Sequence, residues 1–134
     1  MALDAAISEW LSLLGPQGVL TGSAVEAAYG ADTGGLKRDI PVALRPAHAE
    51  QVQAIVRIAA RHGTPLHPLS TGRNWGYGTS MPARDGCSLL DLSGLRRIVD
   101  FDPVLGTVTV EPGATQADLA ALDRKSTRLK SSHT

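Results

Sequence analysis

The sequence predicts an α+β fold, a small mixed sheet flanked by helices. Three observations predict it. Short apolar runs of strand length recur at residues 19–22, 41–46, 66–69, 87–92, 98–101 and 107–111. Between the second and third lies residues 48–62, where apolar side chains repeat at helical spacing, as a strand–helix–strand unit requires. A long glycine-rich loop without hydrophobic period follows the third run, and structureless runs of that length in compact domains usually carry function.

The first helix spans 3–14. Leu3, Ala6, Ile7, Trp10, Leu11, Leu13 and Leu14 approximate the i, i+3, i+4, i+7 pattern. Asp4 sits in its first turn, favourable against the helix dipole, and Gly15-Pro16 ends it. Trp10 reads as a core anchor. After an extended stretch at 19–22, Ser23 is the expected N-cap of a short helix to Tyr29, with Glu26 completing a capping box. Residues 30–35 form a flexible loop, and Lys37-Arg38-Asp39 a solvated surface.

Pro41-Val42-Ala43-Leu44-Arg45-Pro46 reads as a strand entering the helix at 48–62. Val52, Ile55, Val56 and Ala59 form its apolar stripe, with Ile58 flanking and Glu50, Gln51, Gln53, Arg57 and Arg61 mostly off it. Gly63 suits the left-handed position that follows a helix. His48 falls in the cap region and His62 in the last turn, where structural roles explain both. Cys87 heads the buried strand 87–92 and reads as a small core residue. Residues 98–101 and 107–111 flank a Pro- and Gly-containing turn, a β-hairpin. Thr115 then caps a final helix, with Asp118 three residues on.

Composition bounds the partners. An apolar fraction of 43% belongs to a folded chain, not a disordered one. The formal charge is zero, which gives no reason to expect nucleic acid. One cysteine excludes an internal disulfide and fits a reducing compartment. The acidic N-terminal stretch does not resemble a signal peptide, and no apolar run approaches the roughly 20 residues of a membrane span. A cytoplasmic location is expected, with no membrane partner and no metal site.

The chemistry concentrates after the strand at 66–69, in Ser70-Thr71-Gly72-Arg73-Asn74-Trp75-Gly76-Tyr77-Gly78. Glycines at 72, 76 and 78 leave no Cβ between backbone and ligand, so successive N–H groups can form a concave anion site, with Arg73 beside it. The spacing G-x-x-x-G-x-G is neither the dinucleotide fingerprint nor a P-loop. From the residues alone, an anion cradle and an ordinary glycine-rich turn both fit.

Three blocks in order carry a family resemblance. They are Leu44-Arg45-Pro46 with residues 50–56, then Pro68 through the glycine loop, then Leu90-Asp91-Leu92 with residues 108–113. Together they resemble the flavin-dependent oxidoreductases of the vanillyl-alcohol oxidase and p-cresol methylhydroxylase (PCMH) type, over about 41–122. The resemblance implies the N-terminal lobe of a PCMH-type FAD-binding domain. It implies that backbone amides of 71–76 cradle the FAD diphosphate, with Arg73 and Asn74 shaping the loop. It further implies that Pro68, Ser70, Tyr77 and Thr79 line the surroundings, with Trp75 in the loop itself. Pro112, Gly113 and Thr115 would contact the flavin end or support the turn beside it. Asn74-Trp75 stands where some relatives carry a flavin-linking His, and His67 lies before the loop, so no covalent attachment through this segment is expected. A small-molecule substrate is implied, a 4-alkylphenol or aromatic alcohol first, with an electron acceptor and a full-length homo-oligomer left open. The alternatives are a hydroxy-acid or sugar-acid oxidoreductase of the same fold, or a non-redox phosphate- or nucleotide-binding module.

The expected organisation is a helical extension over 1–36, the truncated FAD-binding lobe over 37–122, and a non-native tail over 123–134. The tail has one large apolar residue and resembles a translated sequencing adapter, from which only Lys130 departs. Residues 1–122 alone carry nine basic and twelve acidic side chains, a net charge of −3. The parent's second lobe and substrate domain would not fit in the remaining length, so no catalytic residue is expected here and the chain alone is expected to be inactive.

Overall fold

The computed structural model describes residues 2–30, 35–72 and 80–132, with side chains described up to 125. The elements are α1 (Ala2–Leu14), β1 (Val19–Thr21), α2 (Ser23–Tyr29), β2 (Val42–Leu44), α3 (Ala49–His62), β3 (Leu66–Leu69), β4 (Ser88–Asp91), β5 (Ile98–Asp102), β6 (Thr107–Val110) and α4 (Gln116–Ser132). The α+β class and the order of elements are those the sequence predicts.

Four strands form a mixed sheet in the order β1-β2-β4-β3. β1 runs antiparallel to β2, while β2 and β3 both run parallel to β4. Parallel neighbours need a long crossover, and the glycine-rich segment between β3 and β4 supplies it. The carboxyl ends of β2, β3 and β4 therefore open on one side, where open α/β sheets bind their ligands.

Alternation along the strands divides the core in two. Val42, Leu44 and Leu90 face α1 and α3, packing with Ala6, Trp10, Ile55, Ile58 and Ala59. Ala43 and Leu89 face the other way, onto Val25 and Tyr29 of α2, Ile40 and Met81. Trp10 is fully buried, and its indole N–H donates to the Ile55 carbonyl at 3.3 Å. That bond satisfies the one polar atom of an otherwise apolar anchor. Glu9 joins the same two helices from outside, accepting from Arg61 Nη1 at 2.7 Å and pairing with His62 Nε2. His62 is thus structural, as its position suggests.

The helix ends follow local chemistry with one exception. Gln51 Oε1 accepts from the N–H groups of Ala47 and His48, at 2.8 and 3.1 Å, fixing the start of α3. Gly63 closes that helix at φ +65°, ψ +29°, the left-handed conformation a Cβ disfavours. The exception is α2. Ser23 is its first residue and not its cap; Gly22 caps it without a side-chain bond, its carbonyl accepting from Val25 and Glu26. A Ser-x-x-Glu pattern cannot distinguish the cap from the residue after it when a glycine stands just before.

β5 and β6 form a separate hairpin. Asp102 Oδ1 accepts from Val104 and Leu105 N–H, which builds the turn. An irregularity at Val99 shifts the register between Ile98 and Asp100. The extra residue brings Ile98, Phe101, Val108 and Val110 to one face, leaving Asp100, Asp102, Thr107 and Thr109 on the other. α4 runs continuously past Asp123, so its backbone marks no break at the expected start of the tail.

Candidate functional site

The carboxyl ends of the parallel strands carry two features built from residues distant in sequence. The first is a polar cluster. Asp91, the last residue of β4, has a side chain only 7% exposed. Its Oδ2 accepts from the Tyr29 hydroxyl and lies 3.5 Å from Arg45 Nε. Arg45 Nε also donates to the Tyr29 oxygen at 2.8 Å. Burial, and the hydrogen bond given to Asp91, push the Tyr29 hydroxyl up to about 12. The other carboxylate oxygen of Asp91 accepts from the Ser93 N–H at 2.9 Å, so this cluster shapes the turn after β4.

The second feature is a cleft of about 440 Å³ lined by Thr71, Ser93, Arg96, Gly113 and Thr115. Its floor is backbone held to backbone. Leu92 N–H donates to Leu69 O at 2.8 Å, tying the turn after β4 to the end of β3. Gly113 N–H donates to Leu95 O at 2.7 Å. A Cβ on Gly113 would stand 2.6–2.7 Å from the carbonyl oxygens of Leu92, Ser93 and Leu95, closer than any side chain permits. Glu111, 8% exposed, locks the other side: its Oε1 accepts from Arg97 N–H at 2.8 Å and its own N–H donates to Arg97 O.

At the rim, α4 begins with a reciprocal cap. Thr115 N–H donates to Asp118 Oδ2 at 2.8 Å, and Asp118 N–H donates to Thr115 Oγ1 at 3.2 Å. This is the capping box the sequence predicts. The Thr115 backbone bond, then the bond from Arg96, hold the Asp118 carboxyl below its ordinary value. Arg96 Nη2 meets Asp118 Oδ1 at 2.9 Å.

Of the cofactor residues expected from the sequence, the cleft joins Thr71 of the glycine loop to Gly113 and Thr115 of the third block. Pro68 is exposed within β3, Pro112 is exposed beside Gly113, and Ser70 and Gly72 are described but do not line the cleft. Arg73, Asn74, Trp75, Gly76, Tyr77, Gly78 and Thr79 lie outside the described residues. Ser93 and Arg96 line the cleft without having been expected. Their one signal in the sequence is position: both follow a buried parallel strand at its carboxyl end. A second cleft, of about 410 Å³, lies against α2 and Lys37, Arg38 and Asp39, and holds none of the expected residues.

The cleft's donors suit a phosphorylated cofactor: three hydroxyls, Thr71, Ser93 and Thr115, and one guanidinium. A mixed sheet with such a cleft at the carboxyl ends of its parallel strands, lined in part by Thr71, defines a nucleotide-cofactor-binding lobe. The chain belongs to the FAD binding domain family, which it matches over residues 40–129.

Three known proteins place it more closely. It is 41% identical over 128 residues to 1'-carboxy-chondrochloren decarboxylase of Chondromyces crocatus, covering 95% of this chain and 24% of that protein. It is similar to p-cresol methylhydroxylase, solved with substrate bound, at 29% identity and a TM-score of 0.82, over 94% of this chain and 25% of the other. It is also similar to 4-ethylphenol oxidase from Gulosibacter chungangensis, at 34% identity and a TM-score of 0.80, over 93% and 25%. The chain thus spans about a quarter of the length of the relatives it matches. The resemblance to the PCMH type is borne out, and with it FAD as the cofactor of the domain. Among the described residues no helix is long and apolar enough to cross a membrane.

Proposed function

We propose that this chain is the first FAD-binding lobe of an oxidoreductase acting on a small para-substituted phenol or aromatic alcohol. The observation that carries the reading is the cleft itself. It joins the start of the loop after β3 to the turn before α4, two segments 42 residues apart at Thr71 and Gly113 that were both expected to meet the cofactor. The phenolic substrate class is supported by two of the similar proteins, which are a p-cresol methylhydroxylase and a 4-ethylphenol oxidase.

FAD, when bound, supplies the hydride chemistry. The chain's own residues bind and orient. By the family resemblance the glycine loop would offer backbone donors to the diphosphate, while Thr71, Ser93 and Thr115 bring hydroxyls to the cleft wall. Asp91 holds the Ser93 amide, and Gly113 lets the turn before α4 close onto the turn after β4. No group here is assigned to move a substrate proton. The chain alone offers part of a cofactor site and neither holds FAD tightly nor turns over. The parent protein is read as cytoplasmic, with its flavin not attached through residues 65–80.

The test is the protein expressed from its complete reading frame. Flavin bands near about 380 and 450 nm, bleached anaerobically by 4-ethylphenol or p-cresol, are the expected result. A colourless protein with FAD in excess overturns the reading. A second reading is favoured by the 41% identity to a decarboxylase over 95% of this chain. Carbon dioxide release from a carboxylated aromatic substrate, with no bleaching by simple alkylphenols, would select it.

A further inference from the structure

We propose that Arg96 is a charge partner of the cofactor's diphosphate, held ready by a fixed backbone and by a weak ion pair with Asp118. The inference deepens the FAD reading of the cleft and rests on it.

Arg96 is the cation among the described residues lining the cleft, and it shares that lining with Thr71, from the segment expected to carry the diphosphate. Its backbone cannot drift. Leu95, on one side, is 2% exposed and its carbonyl accepts from Gly113. Arg97, on the other, exchanges two bonds with Glu111, one to its backbone and one to its carboxylate. The side chain is in contrast free to choose. It is 58% exposed, and its bond to Asp118 uses one of five N–H donors. Exposed pairs of this kind are weak, whereas a guanidinium matches phosphate oxygens in a bidentate fork. Asp118 loses little when Arg96 turns away, because the Thr115 N–H still bonds its carboxylate. Asp118 is thereby a parking site for the guanidinium before cofactor arrives.

The competing role for Arg96 is structural, anchoring α4 through Asp118. The protein expressed from its complete reading frame is stripped of flavin and titrated with FAD, ADP and riboflavin, following fluorescence and heat. Arg96→Gln is expected to weaken FAD and ADP about tenfold, the effect of losing one charge-assisted bond, and to leave riboflavin unchanged. It should also flatten the rise of the FAD Kd with KCl. Arg96→Lys recovers part of the loss. Asp118→Asn keeps the cation and leaves FAD affinity equal or tighter; Arg97→Gln changes nothing. Equal FAD and ADP affinities for Arg96→Gln and wild type overturn the proposal while the FAD reading stands. Matching losses in Arg96→Gln and Asp118→Asn, or an equal loss for riboflavin, overturn it in favour of the anchoring role. Wild type that binds ADP but not FAD overturns the FAD reading and keeps the diphosphate partner. Wild type that binds neither overturns both.

Discussion

Replacing Gly113 with alanine tests whether the floor of the cleft is as tight as its geometry states. The new Cβ would sit 2.6 Å from Leu92 O and 2.7 Å from both Ser93 O and Leu95 O. All three are backbone atoms of one turn, so no side chain can swing aside. Reaching an ordinary separation of 3.4 Å requires the strand end and the turn to part by roughly 0.7–0.8 Å, an overpacking strain of about 1–3 kcal/mol. The same movement stretches the 2.7 Å bond from Gly113 N–H to Leu95 O toward the limit of hydrogen bonding, forfeiting about 1 kcal/mol. Alanine stiffens the unfolded chain and returns about 0.5 kcal/mol. The net expectation is about 2–3 kcal/mol of destabilisation, which lowers Tm by roughly 6–12 °C in a domain of this size. Thermal unfolding by circular dichroism, with urea midpoints alongside, reads it directly. Gly106→Ala is the control: its φ is +67° but nothing lies within 4 Å of its Cβ, so only the left-handed penalty of about 1–2 kcal/mol applies. Gly113→Ala within about 0.5 kcal/mol of wild type would refute the close approach, since even the lower bound of overpacking exceeds that.

Other expectations follow from the same contacts. Trp10→Ala empties the centre of the larger core and should cost about 3–5 kcal/mol in chemical denaturation, against which a mutation of exposed Leu11 is near neutral. Thr115→Ala removes the hydroxyl that accepts from Asp118 N–H and should cost about 1 kcal/mol, seen as earlier fraying of α4 in amide exchange. Tyr29 is a raised-pKa acid, so the folded state keeps a proton that the unfolded state loses first. Stability is therefore whole below pH 10 and falls as pH rises from 10 toward about 12, and Tyr29→Phe should flatten that alkaline limb. Glu9 behaves oppositely. The hydrogen bond from His62, with that from Arg61, lowers its pKa from 4.5, so its contribution is present above 4.5 and is lost as pH falls below it. Glu9→Gln should blunt the acid limb of a stability–pH curve; an unchanged limb would show that the bridge between α1 and α3 contributes nothing there.

Part of the cleft's lining was legible in the sequence, and the part that was not has a common cause. Thr71, Gly113 and Thr115 were expected at the cofactor because the family resemblance runs through both of their segments, the glycine loop and the turn before the capped helix. Ser93 and Arg96 were not, since nothing in Ser93-Gly94-Leu95-Arg96 differs from any polar turn. They matter because β4 lies between β2 and β3, which brings the turn after β4 beside the end of β3. The Tyr29–Arg45–Asp91 cluster was missed for the same reason: Tyr29 and Asp91 are 62 residues apart. Ser23 shows the opposite failure, in which a local rule was satisfied by the wrong residue and the cap fell one position earlier, on Gly22.

The sequence by itself determined the class of fold, the boundaries of α1 and α3, the buried position of Trp10, the hairpin turn and the cap of α4. Each depends on interactions within about four residues or on the period of apolar side chains, and those are written along the chain. Only the tertiary structure decided the strand order, which places the glycine loop's first residues and the turn before α4 on one cleft. It also decided why residue 113 must be glycine: three carbonyls from residues 92–95 occupy the space a side chain would need. Pairing between distant strands and exclusion of one backbone by another are set by what meets in space, which spacing along the chain does not record.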